Sequence, residues 1–376
     1  MPSLGACSMP PTEKNDDFAF NATRFLSAFH PANVESNLST LHSFKGRSNE
    51  TIAFSDSEIV AMWVETSSSN KGTKRAKRKE GERLVFYCAF ILSKRLNKLT
   101  NNDIEQYISF TGAPEPEDNW VSKTKWPRHD SRWRPFAGPL GANSKRLTIL
   151  VLSNLFKWMR TMSFITENPI NEATNLNLPA PPLEVRLLAD GAIYFIYKAV
   201  GSDSNQRKRV RNSFMITLFY TTAITPFEAE TSNMHAINQK TGQITISRSG
   251  KTTRVIPISQ MFLDELAVYR TTFNLPEKIQ KDEDTPLLVT ANSKYKRLSC
   301  SAMTNCISAI MKNAAALAQL EGAHHLAGLL KQASAYWLRH THLRNLAEDG
   351  SEFLTINRIA GHSSLGTTKK YFDIDR

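Results

Sequence analysis

A proline-rich stretch interrupts this chain and divides it into parts that must bury separate cores. Residues 171–186 read NEATNLNLPAPPLEVR, with no apolar periodicity. Proline fixes φ and removes a backbone donor, so such a stretch favours an extended linker over a continued helix. The sequence therefore predicts four segments: a loosely ordered N-terminal arm (1–50), a helical domain (51–175), a linker (176–188) and a C-terminal domain (189–376).

Apolar residues on both sides of the linker recur mainly at helical spacing. FSDSEIVAMWVE has a possible N-cap at Ser55 or Ser57, and GERLVFYCAFILSKRLN and SKRLTILVLSNLFKWMRTM repeat the same period. Beyond the linker, GQITISRSGKTTRVIPIS alternates like two strands joined by a turn at Ser249-Gly250. The predicted fold class is mainly α with a small β-sheet in the C-terminal domain.

The charge balance indicates a polyanionic partner. The chain has 47 Lys and Arg against 35 Asp and Glu, a formal charge of +12. Nucleic acid is the first expected partner and an anionic membrane surface the second. No stretch approaches the roughly 20 apolar residues of a membrane span, and the polar start lacks the pattern of a signal peptide. We therefore expect a cytoplasmic protein without a membrane segment.

The four cysteines are scattered along the chain, at Cys7, Cys88, Cys300 and Cys306. The close pair near residue 300 has no second pair or histidine cluster that would complete a zinc site. The sequence therefore predicts reduced, structurally incidental thiols and no metal.

The last forty residues carry the chemically informative motifs. WLRHTHLRNLAEDG contains Arg339 followed by His340, and INRIAGHSSLGTTKKYF contains His362 and, nine positions later, Tyr371. A tyrosine hydroxyl with a pKa of ~10 is a weak nucleophile, and its attack on a phosphodiester builds negative charge on the nonbridging oxygens. Cationic and neutral hydrogen-bond donors are therefore expected beside the tyrosine.

These motifs resemble the tyrosine recombinase, or phage-type integrase, family. In that family a helix carries a His-x-x-Arg pair followed by His, the next helix ends in Leu-Gly-His-Ser-Ser, and a tyrosine stands nine positions after the second histidine. The resemblance implies that Tyr371 forms a 3′-phosphotyrosine while Arg339 and His362 hold the phosphate. It also places the family's hairpin lysine, which protonates the departing 5′ oxygen, at Lys251. The phosphotyrosine link conserves the energy of the broken bond, so no cofactor is expected.

Two positions depart from the family pattern. Thr225 stands where a motif like Thr-Gly-Leu-Arg-x-x-Glu has its arginine, and Tyr336 stands where the His-x-x-Arg pair has its histidine. Tyrosine donates a hydrogen bond but carries no positive charge near neutral pH. Three cations are candidates to replace the missing charge: Arg248, Arg254 and Arg344. For His340 and His342, which flank the motif, we expect a structural or phosphate-contacting role rather than metal binding.

The N-terminal half is similar to the DNA-clamping (SAM-like core-binding) module of some family members, since it contains WRPFAGPL and closes in ENPI. A basic run lies between two predicted helices, and two further cations open the helix after the WRPFAGPL loop. These are the charges that would contact phosphates, although solvated surface residues are the alternative. The candidate DNA-binding residues are Lys74, Arg75, Lys77, Arg78, Lys145 and Arg146.

The predicted function is site-specific recombination or integration of a mobile element. The resemblance implies a C-shaped clamp on double-stranded DNA with inverted half-sites, and a homo- or hetero-tetramer on two sites. Thr225 and Tyr336 leave one alternative open, a cleavage-deficient relative that acts as a DNA-binding accessory or regulator. A transcriptional regulator on the same scaffold is a further rival, and a type IB topoisomerase is more remote.

Overall fold

The computed structural model describes residue 23 and residues 25–44, 54–66, 71–170, 186–247, 253–293 and 295–373. The chain forms two compact units, Met1–Pro182 and Leu183–Arg376. Each unit has its own cluster of buried apolar side chains. Most of the predicted linker, like residues 1–22 and 45–50 of the predicted arm, lies outside the described residues.

The described part of the N-terminal unit is mainly helical. Its helices are α1 (Pro31–Phe44), α2 (Asp56–Thr66), α3 (Lys71–Tyr87), α4 (Asn101–Phe110), α5 (Glu117–Trp120) and α6 (Ala142–Thr161). A π-helical turn, Cys88–Leu92, follows α3, and a 3-10 turn spans Leu96–Lys98. Ser55 is the residue before α2, and its hydroxyl accepts from the amide of Glu58 at 3.3 Å. Thr100 caps α4 through a capping box with Asp103.

Aromatic side chains dominate the core of this unit. Trp120, Trp133 and Phe136 are buried, and all three come from the long connection between α4 and α6 or the short helix within it. The rings of Phe110 and Trp120 meet edge to face with centroids 4.9 Å apart, as do those of Phe86 and Trp133 at 5.9 Å. This packing fixes the WRPFAGPL loop against the helices.

The prediction of a loosely ordered arm is wrong for residues 25–44. Phe25 is buried, and α1 buries Val34 and Leu41 with Leu38 partly buried between them. The spacing of these three residues along α1 produces one apolar stripe, which packs on α2. The surrounding Ser, Asn and Thr residues masked this stripe in the sequence.

The basic run is helical rather than a loop between helices. Residues 71–79 form the first half of α3, which continues without a break into the apolar segment. Lys, Arg and Glu are strong helix formers, so the absence of apolar periodicity did not exclude a helix.

The C-terminal unit consists of helices and a three-stranded antiparallel sheet. Its helices are α7 (Ala192–Gly201), α8 (Gln206–Thr222), α9 (Pro226–Thr231), α10 (Gln260–Thr272), α11 (Cys300–Leu320), α12 (His324–Gln332), α13 (Ala335–Glu348), α14 (Phe353–Ala360) and α15 (Leu365–Lys369). The strands are β1 (Ile237–Asn238), β2 (Gln243–Ile246) and β3 (Arg254–Pro257), in the order β1-β2-β3. The β2–β3 pairing confirms the predicted hairpin, and its turn lies outside the described residues.

Helix α8 lies at the centre of this unit and packs against α7, α10 and α13. Helix α14 packs against α13, α15 and β3. These contacts bring the C-terminal ends of α8 and α14 close to the middle of α13, where the sequence motifs lie. The predicted fold class, mainly α with a small sheet, is confirmed.

Candidate active site

Arg339 joins the ends of two helices. Its side chain is 6% exposed, Nη1 donates to the carbonyl of Ala223, and Nη2 donates to the carbonyl of Ala360 at 2.5 Å. Ala223 caps α8 with φ 53, and Ala360 ends α14. The C-terminal carbonyls of helices carry partial negative charge, which suits a guanidinium. Burial lowers the pKa of Arg339, opposed by the charges of Glu228 and Tyr371, and the group remains a cation near neutral pH.

His362 is oriented by two polar side chains. Its Nδ1 lies 2.9 Å from the hydroxyl of Thr368, which accepts from Nδ2 of Asn357 at 2.8 Å. The Thr368 hydroxyl donates to Nδ1 if the imidazole proton is on Nε2 and accepts from it in the other tautomer. Nε2 lies 3.4 Å from Nη2 of Arg339. The guanidinium and the imidazole edge therefore stand side by side.

Burial first, and then the charges of Arg339, Lys370 and Arg254, lower the pKa of His362 to about 4. The imidazole is therefore neutral near pH 7. A neutral imidazole with its proton on Nε2 donates one hydrogen bond without adding charge.

Tyr371 lies in the interior beside two imidazoles. It is 0% exposed, and its hydroxyl oxygen lies 2.6 Å from Nδ1 of His340. Its ring is parallel to that of His362, at 8° with centroids 6.1 Å apart, and Nζ of Lys370 lies 5.1 Å from its centroid. Burial raises the pKa of Tyr371 to about 12, and the charge of Arg339 opposes this. The tyrosine is therefore a neutral phenol in this state.

Glu228 and Arg254 form a buried ion pair beside this cluster. Nη1 of Arg254 donates to Oε1 of Glu228 at 2.5 Å and Nη2 donates to Oε2 at 3.0 Å. Nε of Arg254 donates to the carbonyl of Ile359 at 2.9 Å, one residue before the carbonyl that Arg339 binds. Burial alone would raise the pKa of Glu228, but the hydrogen bonds and charge of Arg254, with the bonds from Thr225, hold it below its ordinary value.

Gly361 is required by this arrangement. It adopts φ +66 as the C-cap of α14, and a Cβ there would meet Nη1 of Arg254 at 2.8 Å. A side chain at this position would be strained by the backbone and would displace the guanidinium.

The structure brings together three of the four predicted catalytic residues: Arg339, His362 and Tyr371. Lys251 and the candidate cation Arg248 lie outside the described residues. Arg344 lies at the edge of the cluster, because it donates to the carbonyl of Tyr371 at 2.7 Å and to Oε1 of Glu348 at 2.7 Å.

The two divergent positions have different surroundings. Thr225 is the N-cap of α9, and its amide and hydroxyl donate to Oε2 of Glu228 at 2.8 and 2.9 Å. The Tyr336 side chain is 54% exposed, and its ring centroid lies 6.1 Å from that of His340. A threonine thus completes a helix cap where the family has an arginine, while a largely exposed phenol replaces the histidine.

Two residues have more specific positions than the sequence indicated. His340 was expected only to have a structural or phosphate-contacting role, and it contacts the tyrosine oxygen itself. Arg254 was one of three candidate cations, two of which the structure describes. Like Arg339 it bonds a carbonyl at the end of α14, one residue before the carbonyl that Arg339 bonds. The sequence signal for Arg254 was weak. Alternation along a strand indicates which side chains share a face of the sheet, but it does not indicate which residues of other elements they meet.

In the N-terminal unit, the side chains of the basic run on α3 point in several directions. Lys74 pairs with Glu65, while Lys77 is 8% exposed with Nζ 5.0 Å from the centroid of Trp63. Arg78 stacks on Phe29 at 4.3 Å, and Arg75 is exposed. Burial lowers the pKa values of Lys77 and Arg78.

The other two candidates lie in the first turn and a half of α6. The ammonium end of Lys145 lies against Gly112, and Nη1 of Arg146 donates to Oδ1 of Asn143 at 3.0 Å. Both side chains are half-buried.

This unit contains a groove with a volume of about 630 Å³, which we term the basic groove. Two carboxylates, Glu65 and Glu82, line it beside seven cations, so its charge is positive. Trp126 and Trp133 line the same surface, and Arg132 stacks on Trp126 with its guanidinium carbon 3.4 Å from the ring centroid. The cations are Lys74, Arg75, Arg78, Lys79, Lys125, Arg128 and Arg134.

The described residues contain no group of three or more His, Cys, Asp or Glu side chains placed to hold a metal ion. In that same part of the chain, no helix is long and apolar enough to cross a membrane.

Comparisons with known proteins point to one family. The sequence profile of the phage integrase family matches residues 195–376. The chain is 26% identical over 228 residues to tyrosine recombinase XerC of Thermodesulfovibrio yellowstonii, covering 60% of this chain and 69% of the relative. It is 28% identical over 163 residues to tyrosine recombinase XerC of Syntrophus aciditrophicus, covering 43% and 48%. The matched regions thus span from half to about two thirds of these relatives.

Solved structures share the fold over most of the chain. The Tn1549 transposon integrase in complex with transposon right end DNA has a TM-score of 0.62 at 14% identity, covering 86% of this chain and 96% of that one. The XerH site-specific recombinase bound to a palindromic difH substrate has a TM-score of 0.60 at 14% identity, covering 96% and 94%. At this identity the similarity concerns the fold.

Proposed function

This chain belongs, through residues 195–376, to the phage integrase family of tyrosine recombinases, and we propose that it breaks and rejoins DNA strands at specific sites through Tyr371. One observation carries the proposal. Arg339, His362 and Tyr371, which are up to 32 positions apart, meet in one cluster containing a phenol, an imidazole and a guanidinium. Each of these groups has a defined task in phosphoryl transfer from DNA to a tyrosine.

The chemistry follows from the donors. The phenolic oxygen of Tyr371 attacks the scissile phosphorus and the bond to the 5′ oxygen breaks, leaving a 3′-phosphotyrosine. Arg339 and the Nε2–H of His362 donate to the nonbridging oxygens, where negative charge increases in the transition state. By the family resemblance, Lys251 protonates the 5′ oxygen. Rejoining reverses the steps, and because the new ester conserves the energy of the old one it needs no nucleotide hydrolysis.

The buried hydroxyl sets one condition on this reaction. Tyr371 is 0% exposed and follows the short helix α15, whose Thr368 is also buried. A DNA phosphate therefore reaches the oxygen only when the cover over Tyr371 opens.

The basic groove supports DNA binding by the N-terminal unit. Its excess of cations suits a phosphate backbone. We propose that the duplex carries inverted half-sites, that the chain assembles as a homo- or hetero-tetramer on two sites, and that it acts in the cytoplasm. Integration or excision of a mobile element fits this scheme, as one structural relative is a transposon integrase.

A second candidate function is DNA binding without cleavage, as an accessory or regulator of an active recombinase. Thr225 favours it, because this residue completes a helix cap and supplies no guanidinium. The two bonds from Arg339 to backbone carbonyls favour it too, since they occupy part of the donor fork.

A nicked suicide substrate separates the two functions. The probe is a duplex selected for binding from random-sequence DNA, with a nick placed so that cleavage releases a short fragment and prevents rejoining. Wild type is expected to form a covalent adduct on a denaturing gel, and Tyr371→Phe to form none while retaining binding. Tyr194→Phe is the control, because Tyr194 is an exposed tyrosine on α7. Specific binding by wild type without an adduct would support the non-cleaving function.

A further inference from the structure

We propose that His340 is the general base that accepts the proton of Tyr371 during DNA cleavage. This rests on the proposed function, since it names the group that activates the nucleophile of that reaction. The hydroxyl oxygen of Tyr371 lies 2.6 Å from Nδ1 of His340, a hydrogen-bond distance between a proton donor and a ring nitrogen. His340 thus touches the reacting atom.

The position of His340 on α13 explains why it fills this role. It is four residues after Tyr336, so the two side chains share one face of the helix, with ring centroids 6.1 Å apart. Tyr336 is 54% exposed and its phenol is a poor base near neutral pH. His340 brings an imidazole to the tyrosine oxygen from the same face.

The imidazole of His340 is neutral in the resting site and has a lone pair to offer. Burial lowers its pKa to about 4, with further contributions from the charges of Lys370, Arg339 and His362. The groups around it are therefore two cations, a second imidazole and the phenols of Tyr336 and Tyr371. In the proposed tautomer Tyr371 donates this hydrogen bond and the lone pair of Nδ1 accepts it.

The substrate itself would strengthen this base. A bound phosphate brings negative charge to Arg339, one of the two cations whose charge lowers the pKa of His340. That negative charge raises the affinity of Nδ1 for a proton when the phosphate arrives. The phenol becomes more acidic as its oxygen bonds to phosphorus, so transfer is favourable in the transition state rather than before it.

In the proposed step the O–H bond of Tyr371 breaks, its proton moves to Nδ1 and the oxygen–phosphorus bond forms. The electron pair of the broken phosphorus–oxygen bond leaves on the 5′ oxygen, which becomes a hydroxyl by taking a proton from the general acid, Lys251 by the family resemblance. His340 becomes an imidazolium, protonated on both nitrogens. In rejoining, the 5′ hydroxyl attacks and the imidazolium returns its proton to the phenolate.

The first test replaces His340 with Asn in the full chain. The amide oxygen of Asn can occupy the place of Nδ1 and accept the same hydrogen bond, but it is not a base. Adduct formation on the nicked substrate is expected to fall on the order of 10²-fold, with DNA binding unchanged. His342→Asn is the control on the same helix, and it is expected to keep cleavage within a few fold. Cleavage by His340→Asn at the wild-type rate would overturn the proposal.

A rescue separates proton transfer from positioning. Tyr371 is replaced by a fluorinated tyrosine, whose phenol loses its proton more readily. The deficit of His340→Asn relative to His340 is expected to shrink at least tenfold with the fluorinated nucleophile. A residue that only packs against Tyr371 would show the same deficit with both nucleophiles, and that result would overturn the proposal.

A third measurement does not depend on cleavage, so it tests the protonation of His340 even if wild type forms no adduct. Nitrogen-15 NMR of histidine-labelled protein, assigned with His340→Asn, reports which ring nitrogen carries the proton. The proposal requires Nε2–H and an unprotonated Nδ1 that accepts a bond, with a change of the Nδ1 shift in Tyr371→Phe. A proton on Nδ1 at neutral pH excludes His340 as the base, whereas absence of an adduct in wild type contradicts only the proposed function.

Discussion

The two units of this chain both direct cations inward, but with different results. On α3, Lys77 lies over the ring of Trp63 and Arg78 over the ring of Phe29, so each charge makes a cation–π contact with an aromatic side chain. In the C-terminal unit, Arg339 and Arg254 bond adjacent carbonyls at the end of α14, and the charges of both lower the pKa of His362.

The difference shows which sequence signal identifies a reactive site. The basic run is dense in sequence, yet its side chains diverge around one helix. The C-terminal cations are far apart in sequence, yet they converge because α8, β3, α13 and α14 meet at one place. Convergence at a point, rather than local density of charge, marks the site where charge can develop on a substrate.

The largest expected effect concerns the buried pair on the C-terminal side. Arg254→Met leaves the Glu228 carboxylate buried without its partner, and we expect the free energy of unfolding to fall by about 3 to 5 kcal/mol in urea denaturation. Combining it with Glu228→Gln should recover part of that loss. Lys198→Met, which breaks an exposed pair with Glu321, is the control and should change stability little. If Arg254→Met and Lys198→Met lowered the free energy of unfolding equally, burial would not distinguish the two ion pairs.

Arg339 provides the next effect, which is on catalysis. Arg339→Lys keeps a positive charge but loses the planar fork that bonds two helix ends, so adduct formation should fall ~10²- to 10³-fold. Arg358→Lys, at an exposed position of α14, is the matched control and should cleave normally. If the two variants cleave alike, the inward cations of the C-terminal unit are structural, as those of α3 are.

Acid should destabilise the C-terminal unit more than the N-terminal unit. The pKa values of His340, His342 and His362 are all lowered to about 4, primarily by burial. The unfolded chain, with histidine pKa values of ~6.5, binds more protons between pH 6.5 and 4, so stability falls as pH falls through that window. Each histidine should contribute on the order of 1 to 3 kcal/mol. Hydrogen exchange at pH 7 and pH 5 measures it unit by unit, and His342→Asn should reduce the change.

The smallest expected effect tests the helix of the basic run. Arg75 is exposed and Lys77 is buried against Trp63, so of these two residues Arg75 is the one placed to release counterions from DNA. Arg75→Ala should lower the slope of log affinity against log salt by about 1. Lys77→Met should leave the slope unchanged. A loss of slope in Lys77→Met instead would show that α3 rearranges on DNA.

Much of the fold was predictable from local patterns. Helical periodicity predicted α2 and α4 with their caps, and strict alternation predicted β2 and β3. The first helix was missed because its apolar stripe is only three residues long and lies among polar ones. The two-residue strand β1 was missed as well, because two residues cannot show a period.

The sequence by itself predicted the family and indicated Arg339, His362 and Tyr371 as candidate site residues, because chemistry at fixed spacing leaves a readable motif. Only the tertiary structure decided that Arg254 pairs with Glu228 and that His340 meets the tyrosine oxygen. These contacts join residues 26 and 31 positions apart, from elements that share no local pattern. Which side chains meet is fixed by how the helices pack, and a residue's own neighbours in sequence carry no record of that.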